Sequence, residues 1–418
     1  MLDKLIGRAR FTATAMAAAA LLTPIALASL ASGKAAAAED VRIGILLPLS
    51  GPVAPIGQNN RRGHALAVDE INAAGGIKSL GGAKLVMIDG DTQGNPSVGI
   101  QETEKLANQR VVAILGAYQS NVTFPSTQIA EKLGVPYIDP VAIADTITDG
   151  RNFKFTFKVA PKASWYARDQ MGFVKWVGEK SGKPIKRVVL MYEDTLFGQS
   201  TSKGQAEFAK QFGIEVVEKI AYPAETPDMT PTISRIKQAN PDALVLVSYI
   251  SDAVLITKTM KELGVNIPIL GTSAGHIDPA YIANLGPLAE HSFTVGEWNP
   301  DLKKPGAAAI NERFQAKFGT PMNGHAAETY MSTMVLADAL ERAASTDRRK
   351  VRDALAATSL CGARNILPYE CVKFEPSGQS PQGRLVMLQV QKGKFTSVWP
   401  PEIAAASPVF PVPAWSAR

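Results

Sequence analysis

The chain has 418 residues, 46% hydrophobic and 20% charged, with 34 Gly and 28 Pro; these globular proportions exclude a disordered, collagenous or coiled-coil chain, and the length predicts two or three folded units. The formal charge is +6, but Lys4, Arg8, Arg10 and Lys34 face only Asp3 in the first 38 residues, and 40 basic against 37 acidic side chains remain beyond them. That remainder is scattered, with no Lys/Arg run and no basic-aromatic interleaving, so nucleic acid is not an expected partner.

Residues 1–38 read as a secretory signal peptide: a short basic start, an almost uniformly small or apolar run from Phe11 to Leu30, and Ala36-Ala37-Ala38 as a small-x-small cleavage pattern before Glu39-Asp40. A retained anchor is the rival reading, since about 20 apolar residues can span a bilayer. Alanine dominates this run, which weighs against it. The expected location is therefore periplasmic, with the mature chain starting near residue 39.

From Val41 one unit recurs: an apolar strand, a Gly/Pro/Asp turn, then a helix. Val41–Leu49 is the first strand. Asn60–Ala74 is a helix with Gly63, Leu66, Ala67 and Ile71 on one face, stopped by Gly75-Gly76. Strands at 84–88, 111–115 and 135–138, with helices at 96–108 and 122–133, continue the alternation. The pattern implies a parallel sheet with helices on both faces. Phe153–Val159 breaks the rhythm.

A second series follows, with helices at 164–180, 198–212, 229–239 and 252–263 and strands at 187–192, 214–220, 243–249 and 267–270. Phe293–Trp298 reads as another crossing. Helices at 304–318 and 326–344 are expected to complete the first series, and strands near 383–390 and 394–399 the second. The fold class is α/β, with two lobes: 39–158 plus 299–370, and 159–298 plus 371–400, joined by crossings near 158, 298 and 370. Residues 401–418, proline-rich, are expected to be irregular.

Cys361 and Cys371 are the only cysteines, ten apart; export and an even count predict a disulfide between them. Two thiolates with no nearby His make at best half a zinc site, so no metal is expected.

In such sheets ligands lie beyond the carboxyl ends of the strands, against helix N-termini that offer free N–H groups. The turn Gly116-Ala117-Tyr118-Gln119-Ser120 places Ser120 about where a helix starts, suited to a carboxylate and equally to a plain N-cap. After the next strand, Val141 and Ile143 follow Pro140 and are expected to offer backbone N–H groups.

The segments IGILLPLSGPVAPIG, LAVDEINAAGGI, VVAILGAYQS and YEDTLFGQS, in this order, resemble the leucine/isoleucine/valine-binding type of periplasmic substrate-binding protein, the two-lobed type I receptor of ABC importers. The resemblance runs from about Val41 to the 390s. It implies capture of a small ligand between the lobes and its delivery to a membrane permease by a monomer, with no cofactor and no bond chemistry. It also implies a ligand-binding set: Ser120 for a carboxylate, Tyr118 in the same turn, Val141 and Ile143 through backbone groups, Phe197 and Tyr249 as aromatic walls, and Ser273 and Glu297.

Two departures stand out. Ile143 lacks the hydroxyl of the family's threonine, and Ser273 stands where many amino-acid binders place the glutamate that pairs with the ligand ammonium. A buried ammonium without its partner costs several kcal/mol. Either Glu297, Glu193 or Asp194 substitutes, or the ligand carries no ammonium. Ile56, where a ring is common, also suggests an altered pocket, and Trp165 and Tyr166 are candidates to line it or to pack behind it. The ligand expected is thus an apolar amino acid or a nitrogen-free carboxylate or amide; a sensor that feeds no transporter has the same sequence features.

A catalytic reading also exists. Gly271-Thr272-Ser273-Ala274-Gly275 follows a strand and matches the G-x-S-x-G nucleophile elbow, with His291 or His325 as base and Glu290, Glu297 or Asp301 as orienter. An elbow needs a helix directly after its serine, whereas Asp278-Pro279 looks like the true helix start. A dinucleotide enzyme is disfavoured, because no G-x-G-x-x-G follows a strand.

Overall fold

The computed structural model describes residues 39–381 and 383–418; the signal peptide expected over 1–38 lies outside the described residues. The first series forms β1 (Val41–Leu47), α1 (Ala54–Ala73), β2 (Leu85–Asp91), α2 (Pro96–Asn108), β3 (Ile114–Gly116), α3 (Ser120–Leu133), β4 (Tyr137–Asp139) and β5 (Thr156–Lys158). Its five strands lie parallel in the order β2-β1-β3-β4-β5. Because helices cover both faces, the strands are apolar without alternation, as Ile43, Ile45, Leu46 and Leu47 show by being wholly buried.

The second series forms α4 (Ala163–Ser181), β6 (Arg187–Glu193), α5 (Leu196–Gln211), β7 (Glu215–Tyr222), α6 (Thr230–Ala239), β8 (Ala243–Val247), α7 (Ile250–Glu262), β9 (Ile269–Thr272), α8 (Pro279–Leu285) and β10 (Phe293–Gly296). The chain then returns with α9 (Ala307–Phe318), α10 (Gly324–Ala343) and α11 (Arg348–Ala356) before β11 (Ser359–Cys361), β12 (Cys371–Lys373), β13 (Val386–Gln391) and β14 (Lys394–Trp399). The second sheet runs β14-β13-β10-β9-β8-β6-β7, parallel except for the closing hairpin, whose β13 is antiparallel to both β10 and β14.

Helix α10 packs along α1 of the first sheet. Thr329 Oγ1 donates to the Asn60 carbonyl (2.9 Å), and His64 Nδ1 meets Thr333 Oγ1 (2.8 Å). Gly63 makes the approach possible, since a Cβ there would stand 2.1 Å from Thr329 Oγ1. Helix α1 starts six residues before the expected Asn60. Gly51, Pro52, Pro55 and Gly57 suggest a loop, yet Pro55 sits at the helix start, where its missing N–H costs nothing. Gly57 lies under the Pro48 carbonyl, where a Cβ would stand 1.9 Å from the oxygen.

Residues 371–373, expected to open the second lobe, instead pair as β12 with β11. Lys158 N donates to the Gly378 carbonyl and Ser380 N to the Lys158 carbonyl. The edge of β5 thus finds its backbone partners in this segment, beyond the crossing expected near 370. Cys361 and Cys371 are directly opposed in the β11–β12 pair and form a disulfide, with Cα atoms 4.1 Å apart. Beyond Pro400 only Trp415–Ala417 makes a helical turn. The tail is fastened all the same: Val409 N donates to Gln389 Oε1 (2.8 Å) and Trp415 Nε1 to the Val265 carbonyl (3.0 Å).

Candidate ligand-binding cleft

The carboxyl ends of β3 and β4 face those of β6, β8 and β9 across a cavity of about 20 Å³. That is room for about one water molecule, against ~300–1,000 Å³ for sites of drug-sized molecules, so a larger occupant requires the walls to part. Tyr118, Ser120, Val141 and Ile143 line it from the first lobe, and Phe197, Tyr249, Ser273 and Ala274 from the second; His325, from the first turn of α10, completes the lining. A wider recess, about 450 Å³, lies between Ile282, Trp298, Met322 and Phe395. It has neither the Ser120 hydroxyl nor the start of α3, so the smaller cavity is the better candidate.

Ser120 is the first residue of α3, and Gln119 is the cap position. The plain N-cap reading therefore fails: the Ser120 hydroxyl accepts from the Ala144 N–H (3.2 Å), and its own proton is left to donate. The turn before it needs glycine at 116, where φ is 151° and a Cβ would stand 2.0 Å from the Leu46 carbonyl oxygen.

Val141 does not offer its N–H. Asp139 Oδ1 accepts from Val141 N (3.1 Å) and Ala142 N (2.9 Å), a local turn that an aspartate two residues upstream favours. The Ile143 N–H has no partner among the described residues. Burial pushes the Asp139 carboxyl up, and buried Lys158 opposes the shift. Lys158 itself is pushed down by burial, and its ammonium donates to the carbonyls of Ile143 (3.3 Å) and Pro161 (2.8 Å).

Phe197 and Tyr249 stand at the starts of α5 and α7, with ring centres 5.7 Å apart; Tyr118 is 6.0 Å from Tyr249 and 5.4 Å from His325. The three rings make an aromatic wall of the cavity that Ser120 also lines. Gly198 lets α5 start this close to its strand, since a Cβ would stand 1.8 Å from the Glu193 carbonyl oxygen. Burial is the main cause raising the Tyr118 hydroxyl pKa, followed by Asp278, Glu297 and Glu193.

The acidic candidates separate cleanly. Glu193 is fully buried and holds the start of α5, accepting from Thr195 N (2.8 Å), Thr195 Oγ1 (2.9 Å) and Gly198 N (2.8 Å). Burial raises its pKa and these bonds lower it. Asp194 is exposed. Asp278 caps α8 through Ala280 N (2.9 Å). Glu297 does not line the cavity: its Oε1 accepts from Ser273 Oγ and Tyr166 Oη, and its Oε2 lies 2.4 Å from where a Gly324 Cβ would be. Tyr166 thus packs behind the site, and Ile56 lies buried in α1 outside the lining.

Ser273 does meet His325, Oγ to Nε2 3.0 Å, with φ at 43°. The remaining geometry departs from a triad. The Glu297 carboxylate approaches the same Nε2 (3.7 Å), while His325 Nδ1 is buried with no partner. A short 3-10 turn follows the serine, and the helix begins only at Pro279, capped by Asp278. No carboxylate holds the imidazole from its far nitrogen, the orienting role that catalysis requires.

Ala274 and His325 are the lining residues that the sequence left out of the ligand set, and only the histidine brings a polar side chain. It follows Asn323, whose side chain caps α10 through Ala326 N (3.0 Å), so the helix start was legible and the histidine's destination was not.

The description "periplasmic binding protein" fits residues 40–394. The Leu/Ile/Val-binding protein homolog 7 of Brucella melitensis is 31% identical over 93% of this chain and 98% of its own length. Homolog 8 of Brucella abortus is 30% identical over 89% and 93%. Among solved structures, the substrate-binding protein LivJ of Streptococcus pneumoniae in complex with isoleucine aligns with a TM-score of 0.75 at 24% identity, covering 85% of this chain and 98% of that one. A solute-binding protein of an ABC transporter from R. palustris, in complex with benzoate, gives 0.76 at 22%, covering 88% and 97%. At these identities the solved structures share the two-lobed fold; the family match and the Brucella relatives go further, and the chain belongs to the periplasmic binding protein family.

Proposed function

We propose that the chain is the solute-binding component of an ABC importer, exported by residues 1–38, which captures a small carboxylate-bearing ligand between its lobes and hands it to a membrane permease without bond chemistry. The Ser120 hydroxyl at the open start of α3 carries this reading: it faces the cavity beside the unpartnered Ile143 N–H, and an aromatic wall lines the same cavity. A helix start with converging donors favours an anion. The names of the Brucella relatives and the isoleucine and benzoate in the related structures support a ligand of this size and charge. We place the lobe boundaries at the three crossings after Lys158, after Gly296 and between Ser380 and Val386.

The test is a thermal-shift screen of the purified mature protein against amino acids, amides, and aliphatic and aromatic carboxylates. A ligand that binds only the folded state at 100 times Kd adds about 2.7 kcal/mol. Stabilisation by amides alone, with no response to any carboxylate, would sink the reading.

A further inference from the structure

Three buried polar atoms of the cavity lining have no partner: Tyr118 Oη, Tyr249 Oη and His325 Nδ1. The polarity of the last can be deduced from its neighbours. Glu297 Oε1 accepts from both Tyr166 Oη and Ser273 Oγ, so the single proton of the Ser273 hydroxyl points to that oxygen. The hydroxyl oxygen is then the acceptor facing His325 Nε2 at 3.0 Å, and Nε2 must carry the imidazole proton. Burial holds His325 below its ordinary pKa, with Glu297 opposing, so the ring is neutral near pH 7 and Nδ1 presents a lone pair.

We infer that His325 is a specificity-determining residue, its tautomer set by Glu297 through Ser273, and that it reads an uncharged hydrogen-bond donor on the ligand, a hydroxyl. This rests on the proposal that the cavity receives a carboxylate. The lining contains no acidic side chain. Glu193 is held by three protein donors, Asp194 is exposed, and Glu297 packs against Gly324 behind the serine. An ammonium would enter this cavity without an ion partner, at a cost of several kcal/mol. A hydroxyl gives the lone pair on Nδ1 a donor at no such cost, with Tyr118 or Tyr249 as its second partner. The ligand class is a hydroxy-substituted monocarboxylate.

The experiment is calorimetry on two matched sets: 4-methylpentanoate with its 2-hydroxy and 2-oxo forms and leucine, and 3-phenylpropanoate with its 2-hydroxy and 4-hydroxyphenyl forms and phenylalanine. In at least one set a hydroxy acid should bind roughly tenfold or more tighter than its unsubstituted parent, the worth of one buried hydrogen bond. His325→Phe should abolish that advantage, bringing the ratio of hydroxy-acid to parent affinity close to one whatever it does to the parent's own affinity. NMR of 15N-histidine-labelled protein should show His325 as the Nε2–H tautomer, and Glu297→Gln should change that signature. Parent acids that bind as well as their hydroxy forms, an amino acid tightest in its set, or a proton on Nδ1 would each overturn the inference while the carboxylate receptor stands. Failure of every acid in both sets would remove the receptor reading and this inference together.

Discussion

Ala144 donates its backbone N–H to the Ser120 hydroxyl across 3.2 Å, joining the start of α3 to the loop after β4. The bond fixes the serine's rotamer and leaves its proton for a ligand oxygen. Ser120→Ala removes both interactions. Bonds to a charged acceptor are the strong ones, so calorimetry should show a loss of about 1.5–3 kcal/mol in binding, roughly 10- to 150-fold. Unchanged affinity would place the carboxylate elsewhere.

Phe197 and Tyr249 should hold the ligand's apolar body. Their ring centres are 5.7 Å apart, and both side chains are almost wholly buried. Phe197→Ala should weaken binding of a carboxylate with a bulky apolar body by about 2 kcal/mol, and acetate by far less, because the loss scales with the apolar surface covered. Equal losses for both ligands, measured by competition, would show that Phe197 acts through the fold.

The order of strands and helices was legible because each element carries its own period, and β8, buried along its whole length, could only be a central strand. The positions around the cavity were legible to the extent that they sit at strand ends. What escaped were effects set by a few atoms. Asp139 takes the Val141 N–H, a competition between side chain and ligand that no hydrophobic pattern records. His325 joins Ser273 from 52 residues away, and only the packing of α10 on α1 brings it there. Glu297 was expected at the ligand and stands outside the cavity lining, where Tyr166 and Ser273 donate to its carboxylate beside Gly324.

The disulfide closes a loop of ten residues' separation at the end of the β11–β12 pair. In the chain-entropy model such a link contributes roughly 2–3 kcal/mol by restricting the unfolded chain. The Cys361→Ser/Cys371→Ser double variant should unfold at lower denaturant by that amount and bind ligand as before, since neither residue lines the cavity. A loss of affinity beyond a few fold would mean that the link also positions the third crossing.

Acid should destabilise the protein through two histidines. Burial lowers both His64 and His276 to about 3, from an ordinary 6.5. Between those values the unfolded chain binds protons that the folded chain refuses, so stability is complete above pH 6.5 and falls as the pH drops toward 3. Each contributes at most about 1.4 kcal/mol per pH unit in that window. His276, with neither ring nitrogen bonded, is the better probe. His276→Phe should reduce the difference in urea stability between pH 7.5 and pH 4.5, and an unaltered slope would mean that other groups control acid unfolding.

The lobes meet around the cavity: Asp145 N donates to Ser200 Oγ (3.3 Å), and Leu196 packs against Ala142, Ala144 and Ile147. The cavity in this arrangement is too small for a molecule of amino-acid size, about 20 Å³, so binding requires the lobes to part about the three crossings. Opening breaks the neutral, partly buried bond of Asp145 to Ser200 and the buried one of Ser273 to His325, whereas Tyr166 to Glu297 lies at the crossing itself and can persist. The open form should therefore be populated without ligand, and a ligand that touches both lobes selects the closed one. Small-angle scattering of the mature protein should show the radius of gyration falling on saturation with a ligand from the thermal-shift screen. Ser200→Arg, which places a bulky cation in the closing seam beside Asp145, should weaken binding and shrink that change. An unchanged radius at saturation would mean that the lobes do not move, and the ligand would need another way in.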